Sequence, residues 1–142
     1  MKSAVQKTET ALGLFVKFIG VINESTEFPA LNKSKEVKID LHELIFINSV
    51  GTRSWCAWIS ELNNLADRIV VMGCPPIMVK NMSSIEGFYS PKMELESVRI
   101  PFISESAEEK VEKVAVYGKD FNENGLLHDY DVRDSKGALM LP

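Results

Sequence analysis

Three places in this sequence hold side chains that could do chemistry: a histidine between acidic residues, a pair of cysteines, and a serine in a polar turn. His42 lies between Asp40 and Glu43, a combination that could act as a general acid and base. No nucleophile is spaced to complete a catalytic triad with these residues. We therefore interpret all three as solvated side chains around the end of a strand.

The two cysteines are Cys56, in a helix-like stretch, and Cys74, directly after an apolar strand. Because the N-terminus lacks the apolar centre of a signal peptide, we expect both thiols to be reduced and packed in the core. The chain has no CxxC pair, and its only histidines are His42 and His128. This composition offers no zinc pattern, and we expect neither a metal nor a cofactor.

The third place is the turn at Asn48 and Ser49, within "FINSVGTRSW" at 46–55. The apolar run at 44–47 stops there, and a helical pattern begins directly afterwards. Either side chain could cap this helix by accepting a first-turn N–H, and the loss of such a cap typically costs about 1 kcal/mol. Thr52 stands three residues after Ser49, where a capping box would need Glu or Gln.

Alternating strand and helix patterns must position this turn. The helix at 50–66 is the clearest, because an apolar stripe that begins with Trp55 and Trp58 recurs at helical spacing. We expect both tryptophans in the core. The order of strands and helices along the chain predicts an α/β layer fold with right-handed crossovers. Strands are predicted at 11–22, 37–41, 68–73, 97–103 and 111–118, and helices at 27–35, 50–66 and 77–85.

Bulk composition indicates one domain in the first 121 residues of the 142, followed by a polar, glycine-rich segment at 122–142 that we expect to be a flexible tail. The net charge of −4 argues against sequence-independent binding to nucleic acid. No apolar run approaches the roughly 20 residues that span a bilayer, so we expect a cytoplasmic protein that is not integral to the membrane.

Segments in a fixed order resemble the STAS domain, the fold of bacterial anti-sigma factor antagonists. They are "FIGVINE" at 18–24, "VKIDLHELIFINSVGTRSW" at 37–55 and "RIVVMGCPPIMVKNMSSIEGF" at 68–88. The resemblance spans residues 11–103 and implies a mixed, largely parallel sheet with helices packed on it. The chain then adds an extra strand or hairpin, and Ser104 and Ser106 hold places where some relatives carry cysteines.

The resemblance also implies a function and a site. In the family, a partner kinase that is itself the anti-sigma factor phosphorylates a serine that follows an Asp. Here Ser49 matches the acceptor and Asn48 matches the Asp, so the carboxylate is lost. The resemblance implies a non-enzymatic module that binds a protein partner through this turn. The expected contact residues are Asn48, Ser49, Val50, Gly51, Thr52 and Arg53.

Other interpretations stay open. Small STAS proteins also brace the ATPase of phospholipid-transport complexes without being phosphorylated, and the loss of the Asp mildly favours this role. Some STAS domains sense small ligands, although the sequence has no phosphate loop of the GxxxxGK[ST] type. An unrelated small enzyme also stays open. A homodimer is a further alternative, because the added strand and the tail offer contact surface.

Overall fold

A five-stranded sheet with two helices packed on one face forms the larger part of the structure. The computed structural model describes residues 3–104 and 108–142. In chain order, the elements are β1 (Ser3–Thr10), β2 (Gly13–Ile22), β3 (Ser34–Ile47), α1 (Ser49–Leu65), β4 (Ala66–Met72), α2 (Pro76–Ser84), β5 (Met93–Leu95), β6 (Ser97–Ser104), β7 (Glu109–Val116), β8 (Phe121–Asn122) and β9 (Gly125–Leu126).

The strands of the main sheet lie side by side in chain order, from β1 to β5. Strands β2 to β5 are parallel, and β1 runs antiparallel to β2 at one edge. Helix α1 joins β3 to β4 and α2 joins β4 to β5, as parallel neighbours require. The mixed α/β class with a largely parallel sheet, which the sequence predicts, is confirmed.

The core lies between the helices and one face of the sheet. Along β3, the fully buried Val37, Ile39 and Leu41 alternate with more exposed residues. Both α1 tryptophans are buried, as predicted, within a cluster of aromatic rings whose neighbouring centroids are 5.5 to 5.9 Å apart. The rings of this cluster are Phe18, Phe28, Trp55, Trp58 and Phe88.

The helix predicted at 27–35 is wrong. Residues 26–33 have no regular structure, and the partly buried Phe28 and Leu31 pack against the core from this segment. The indole Nε1 of Trp58 donates a hydrogen bond of 3.0 Å to the carbonyl oxygen of Pro29. Phe28 packs on the same indole. These tertiary contacts replace the hydrogen bonds that a local helix would have formed.

Three strands also differ from the sequence pattern. The strand predicted at 11–22 begins at Gly13. The unpredicted strand β1 precedes it, and a tight turn between them reverses the chain so that the two strands pair. The strand predicted at 37–41 is longer and runs without a break from Ser34 to Ile47. The short strand β5 was not predicted.

The chain after β5 forms a smaller layer. Strands β6 and β7 pair as an antiparallel hairpin, which is one of the two arrangements that the sequence left open. Val132 and Met140 are buried against Phe102 of β6. The expected flexibility of 122–142 concerns motion and stays a prediction. Ser106 lies outside the described residues.

Arg99 connects this layer to the main sheet. Its Nη1 donates to the carbonyl oxygens of Leu41 and Leu44 on β3, at 3.1 and 2.6 Å, and its Nε donates to Glu112 of β7.

Within residues 3–104 and 108–142, no helix is both long enough and apolar enough to cross a membrane.

Candidate functional site

The polar turn lies where β3 passes into α1. Asn48 keeps the extended backbone of the strand, with φ −92° and ψ 179°, and α1 begins at Ser49. The backbone N–H of Asn48 donates to the carbonyl oxygen of Ile22, at 3.1 Å. Its side-chain Oδ1 accepts the N–H of Gly51, at 2.8 Å. Asn48 is therefore the helix cap, and the hydroxyl of Ser49 is not needed for that role.

The other end of the same amide binds a carboxylate. Nδ2 of Asn48 donates to Oε2 of Glu24, at 2.9 Å, across 24 positions of sequence. This hydrogen bond lowers the pKa of Glu24, and a backbone hydrogen bond at Glu24 adds to the effect. The turn thus retains an adjacent carboxylate although position 48 is an amide. The sequence pattern could not show this pairing, because it depends on how β2 and β3 lie together.

The first turn of α1 presents an exposed hydroxyl and an exposed cation. Ser49 is exposed, and its hydroxyl makes no hydrogen bond to any described residue. Arg53, one turn later, is also exposed and forms no ion pair within the described part of the chain. Val50 is 39% exposed. Thr52 is half-buried, and its hydroxyl donates to the carbonyl oxygen of Asn48, at 2.9 Å.

Gly51 is the one predicted contact residue that is buried. A Cβ at this position would lie 2.2 Å from the carbonyl oxygen of Ile22, far inside van der Waals contact. Glycine therefore lets α1 approach the end of β2. Its contribution to the site is indirect, because it sets how far the first turn of the helix projects.

An open groove of about 660 Å³ extends from this turn towards α2. Phe46, at the end of β3, is 49% exposed on one side of it. On the other side, Ile77 and Asn81 of α2 and Ile85, directly after this helix, contribute side chains four positions apart. The lining residues are Phe46, Ile47, Asn48, Ser49, Thr52, Arg53, Ile77, Asn81 and Ile85.

Asn81 is the polar exception on the α2 wall. It is only 9% exposed, and its side chain makes no hydrogen bond to any residue that the structure describes. The sequence pattern alone does not mark this residue as functional. The available signal was a polar residue midway between Ile77 and Ile85, four positions from each on an otherwise apolar stripe.

No family model matches this chain. No curated protein sequence matches it either. The site must therefore be interpreted from its own geometry. The His42 cluster and the two cysteines are the alternative sites with which it is compared.

The acidic histidine cluster predicted as solvated is held by local contacts. Oδ1 of Asp40 accepts hydrogen bonds from the backbone N–H and from ring Nδ1 of His42, at 2.9 and 2.7 Å. Glu43 pairs with Lys17 on the neighbouring strand. Among the described residues, no serine, threonine or cysteine side chain hydrogen-bonds to His42. This cluster therefore offers no activated nucleophile.

The cysteines are also placed unfavourably for catalysis. Burial raises the pKa of the Cys74 thiol to about 12, and it raises the pKa of the half-buried Cys56 as well. A thiol with a raised pKa has little of the thiolate form that reacts. Within the described residues, no group of three or more metal-ligating side chains comes together.

Proposed function

We propose that this chain is a non-enzymatic regulatory module of the STAS type, which binds a protein partner through the first turn of α1. The observation that carries the proposal is Ser49: an exposed serine that begins a 17-residue helix while its neighbour Asn48 forms the cap. A plain capping serine would have its hydroxyl engaged with the backbone. This hydroxyl is left available to a partner or to a modifying enzyme.

The order of elements supports the same proposal. The segments that resemble the STAS domain correspond here to β2, to β3 with α1, and to β4 with α2. Pro76 stands in the first turn of α2, and Gly87, with φ +83°, follows its end. Phe88 then packs back into the core. The groove beside Ser49 adds exposed apolar surface, which is typical of a protein-binding site.

Phosphorylation of Ser49 would act as an electrostatic switch. A kinase would transfer the γ-phosphoryl group of ATP to Oγ, with loss of the hydroxyl proton and release of ADP. The phosphate adds about −1.5 to −2 units of charge, which the positive end of α1 and Arg53 one turn away can accommodate. The same charge beside Phe46 opposes an apolar partner surface.

The test compares Ser49→Asp and Ser49→Ala with the native protein, using the partner that co-purifies from the source cells. We expect Ser49→Asp to weaken binding at least tenfold, while Ser49→Ala binds normally. The matched control is Ser60→Asp, on the exposed side of the same helix. Mass spectrometry of protein isolated from its source should find phosphate on Ser49. Unchanged affinity for Ser49→Asp would refute the switch.

A second candidate is a constitutive subunit of a phospholipid-type transport complex, in which the chain braces the ATPase. Exposed apolar side chains beside Ser49, Phe46 at 49% and Val50 at 39%, favour it, because they form a permanent contact surface that needs no switch. In that case Ser49 carries no phosphate in the cell. Phe46→Ser would then release an ATPase that Ser49→Ala leaves bound.

A further inference from the structure

The α2 wall of the groove contains an amide that nothing in the described chain satisfies. Asn81 is more than nine-tenths buried, lines the groove, and makes no side-chain hydrogen bond to any described residue. The amide atoms themselves still reach the solvent of the groove, because they are not among the buried polar atoms of the described chain that lack a partner. They are therefore available to form hydrogen bonds with a molecule bound in the groove.

The charge of the groove is equally specific. Of its nine lining residues, Arg53 is the only charged one, and it has no ion pair among the described residues. The nearby carboxylate of Glu24 is not part of the lining and is hydrogen-bonded to Nδ2 of Asn48, so Arg53 is the charge that the lining offers to a ligand. Electrostatic complementarity selects a ligand that brings a carboxylate to Arg53, since an arginine binds a carboxylate through paired hydrogen bonds.

The shape of the groove favours a helical ligand. Ile77 and Asn81 on α2, with Ile85 directly after its last residue, form one ridge, and the first turn of α1 forms the facing ridge. From Ile77 to Ile85 there are eight residue steps, which correspond to about 12 Å at the rise of an α-helix. Two turns of a ligand helix have about this length, and ridges of one helix pack into the groove between two others.

We infer that the partner of this module presents a short amphipathic helix whose apolar face carries one Asp or Glu. The carboxylate of that residue pairs with Arg53, polar atoms beside it reach the amide of Asn81, and its apolar neighbours cover Phe46 and the α2 isoleucines. This inference rests on the proposed function. It also explains the switch, because a phosphate on Ser49 would lie one turn from Arg53 and would compete for the same cation.

The probes are three matched libraries of 16-residue amphipathic helical peptides, displayed on phage and selected against the full chain. The libraries differ at one central position of the apolar face, which is Glu, Gln or Lys. We expect binders mainly from the Glu library. As synthetic peptides, these should bind at least tenfold more tightly than their Gln counterparts.

Substitutions in the protein test whether the preference for Glu peptides depends on residues of the groove. Arg53→Gln should abolish the preference for Glu over Gln. Asn81→Leu should weaken Glu peptides severalfold while leaving the thermal stability of the protein nearly unchanged, because this amide makes no hydrogen bond to any described residue. Lys80→Gln, an exposed charge on α2 outside the groove lining, is the matched control and should change neither result.

Two results would overturn the inference: equal enrichment of all three libraries, or Glu peptides whose affinity Arg53→Gln leaves unchanged. Binding of the native partner to the Ser49→Asp and Arg53→Gln variants distinguishes failure of this inference from failure of the proposed function. A partner that responds to Ser49→Asp and not to Arg53→Gln contradicts the acidic helix and retains the docking site. A partner that responds to neither contradicts both.

Discussion

Asn48 uses both ends of its amide. The oxygen accepts the N–H of Gly51, and the nitrogen donates to the carboxylate of Glu24. An Asp could form the first of these contacts but not the second, because a carboxylate has no donor. The amide therefore lets a negatively charged side chain from the end of β2 lie beside the start of α1, where the helix dipole favours it.

The substitution Asn48→Asp tests this arrangement. The cap should survive, but two carboxylates would then face each other and the hydrogen bond that lowers the pKa of Glu24 would be gone. We expect the pKa of Glu24 to rise above its value in the native protein. NMR titration of the Glu24 side chain in the native protein and in the variant measures it. An unchanged pKa of Glu24 would show that the contact does not form in solution.

At the scale of elements, the unit from β3 through α1 to β4 was predictable from sequence. The alternation in β3 and the apolar stripe in α1 are strong periodic signals, and both correspond to buried faces. The polar turn between them also fell in the predicted place. These features depend on local pattern and on burial of one face.

The features that sequence missed depend on contacts between distant segments. Strand β1 has few apolar residues because it lies at the sheet edge, so its pattern does not suggest a strand. The segment 26–33 has the composition of a short helix, but the Trp58 indole binds its backbone. The position of Asn81 in the groove and the pairing of Glu24 with Asn48 also depend on tertiary contacts. Local sequence patterns do not predict them.

The position of α1 should depend on Gly51. Gly51→Ala places a methyl group against the carbonyl oxygen of Ile22, a backbone atom that cannot rotate away. We expect it to destabilise the fold by about 1–3 kcal/mol, the usual cost of overpacking. Urea unfolding measures the change, and Ser60→Ala on the exposed side of α1 is the control.

An increase in stability on Gly51→Ala would contradict this prediction. In an open helix, replacement of glycine by alanine stabilises by roughly 0.5–1 kcal/mol. A more stable Gly51→Ala protein would therefore mean that α1 does not approach β2 as closely as described.

At the scale of the whole molecule, the C-terminal segment is held to the turn after β7 partly by a titratable pair. Nε2 of His128 lies 2.6 Å from Oδ1 of Asp120, and the N–H of Leu127 donates to the carbonyl oxygen of Asp120. The hydrogen bond to Asp120 raises the pKa of His128 above 6.5, and the same contact lowers the pKa of Asp120 below 3.8.

Attachment of this segment should therefore depend on pH. The contribution of His128 is complete below its ordinary pKa of 6.5 and is lost as the pH rises through its raised pKa. The contribution of Asp120 is present above 3.8 and is lost as the pH falls through its lowered pKa. Attachment should be strongest between these two ordinary values.

Amide hydrogen exchange at Leu127, corrected for the intrinsic effect of pH, measures this dependence. We expect protection to decrease as the pH rises above 6.5, and His128→Gln to remove most of that change. Identical pH profiles for the native protein and His128→Gln would show that another group controls the attachment.

The central claim is that a partner protein docks on the groove between the start of α1 and α2. Hydrogen-exchange mass spectrometry of the complex with the native partner, compared with the free chain, tests it most directly. We predict that new protection concentrates in residues 46–53 and 77–85, while the outer edge strand β1 and the segment 122–142 exchange as before. Protection confined to β1, the far face of the sheet or the C-terminal layer, with 46–53 unchanged, would contradict the account.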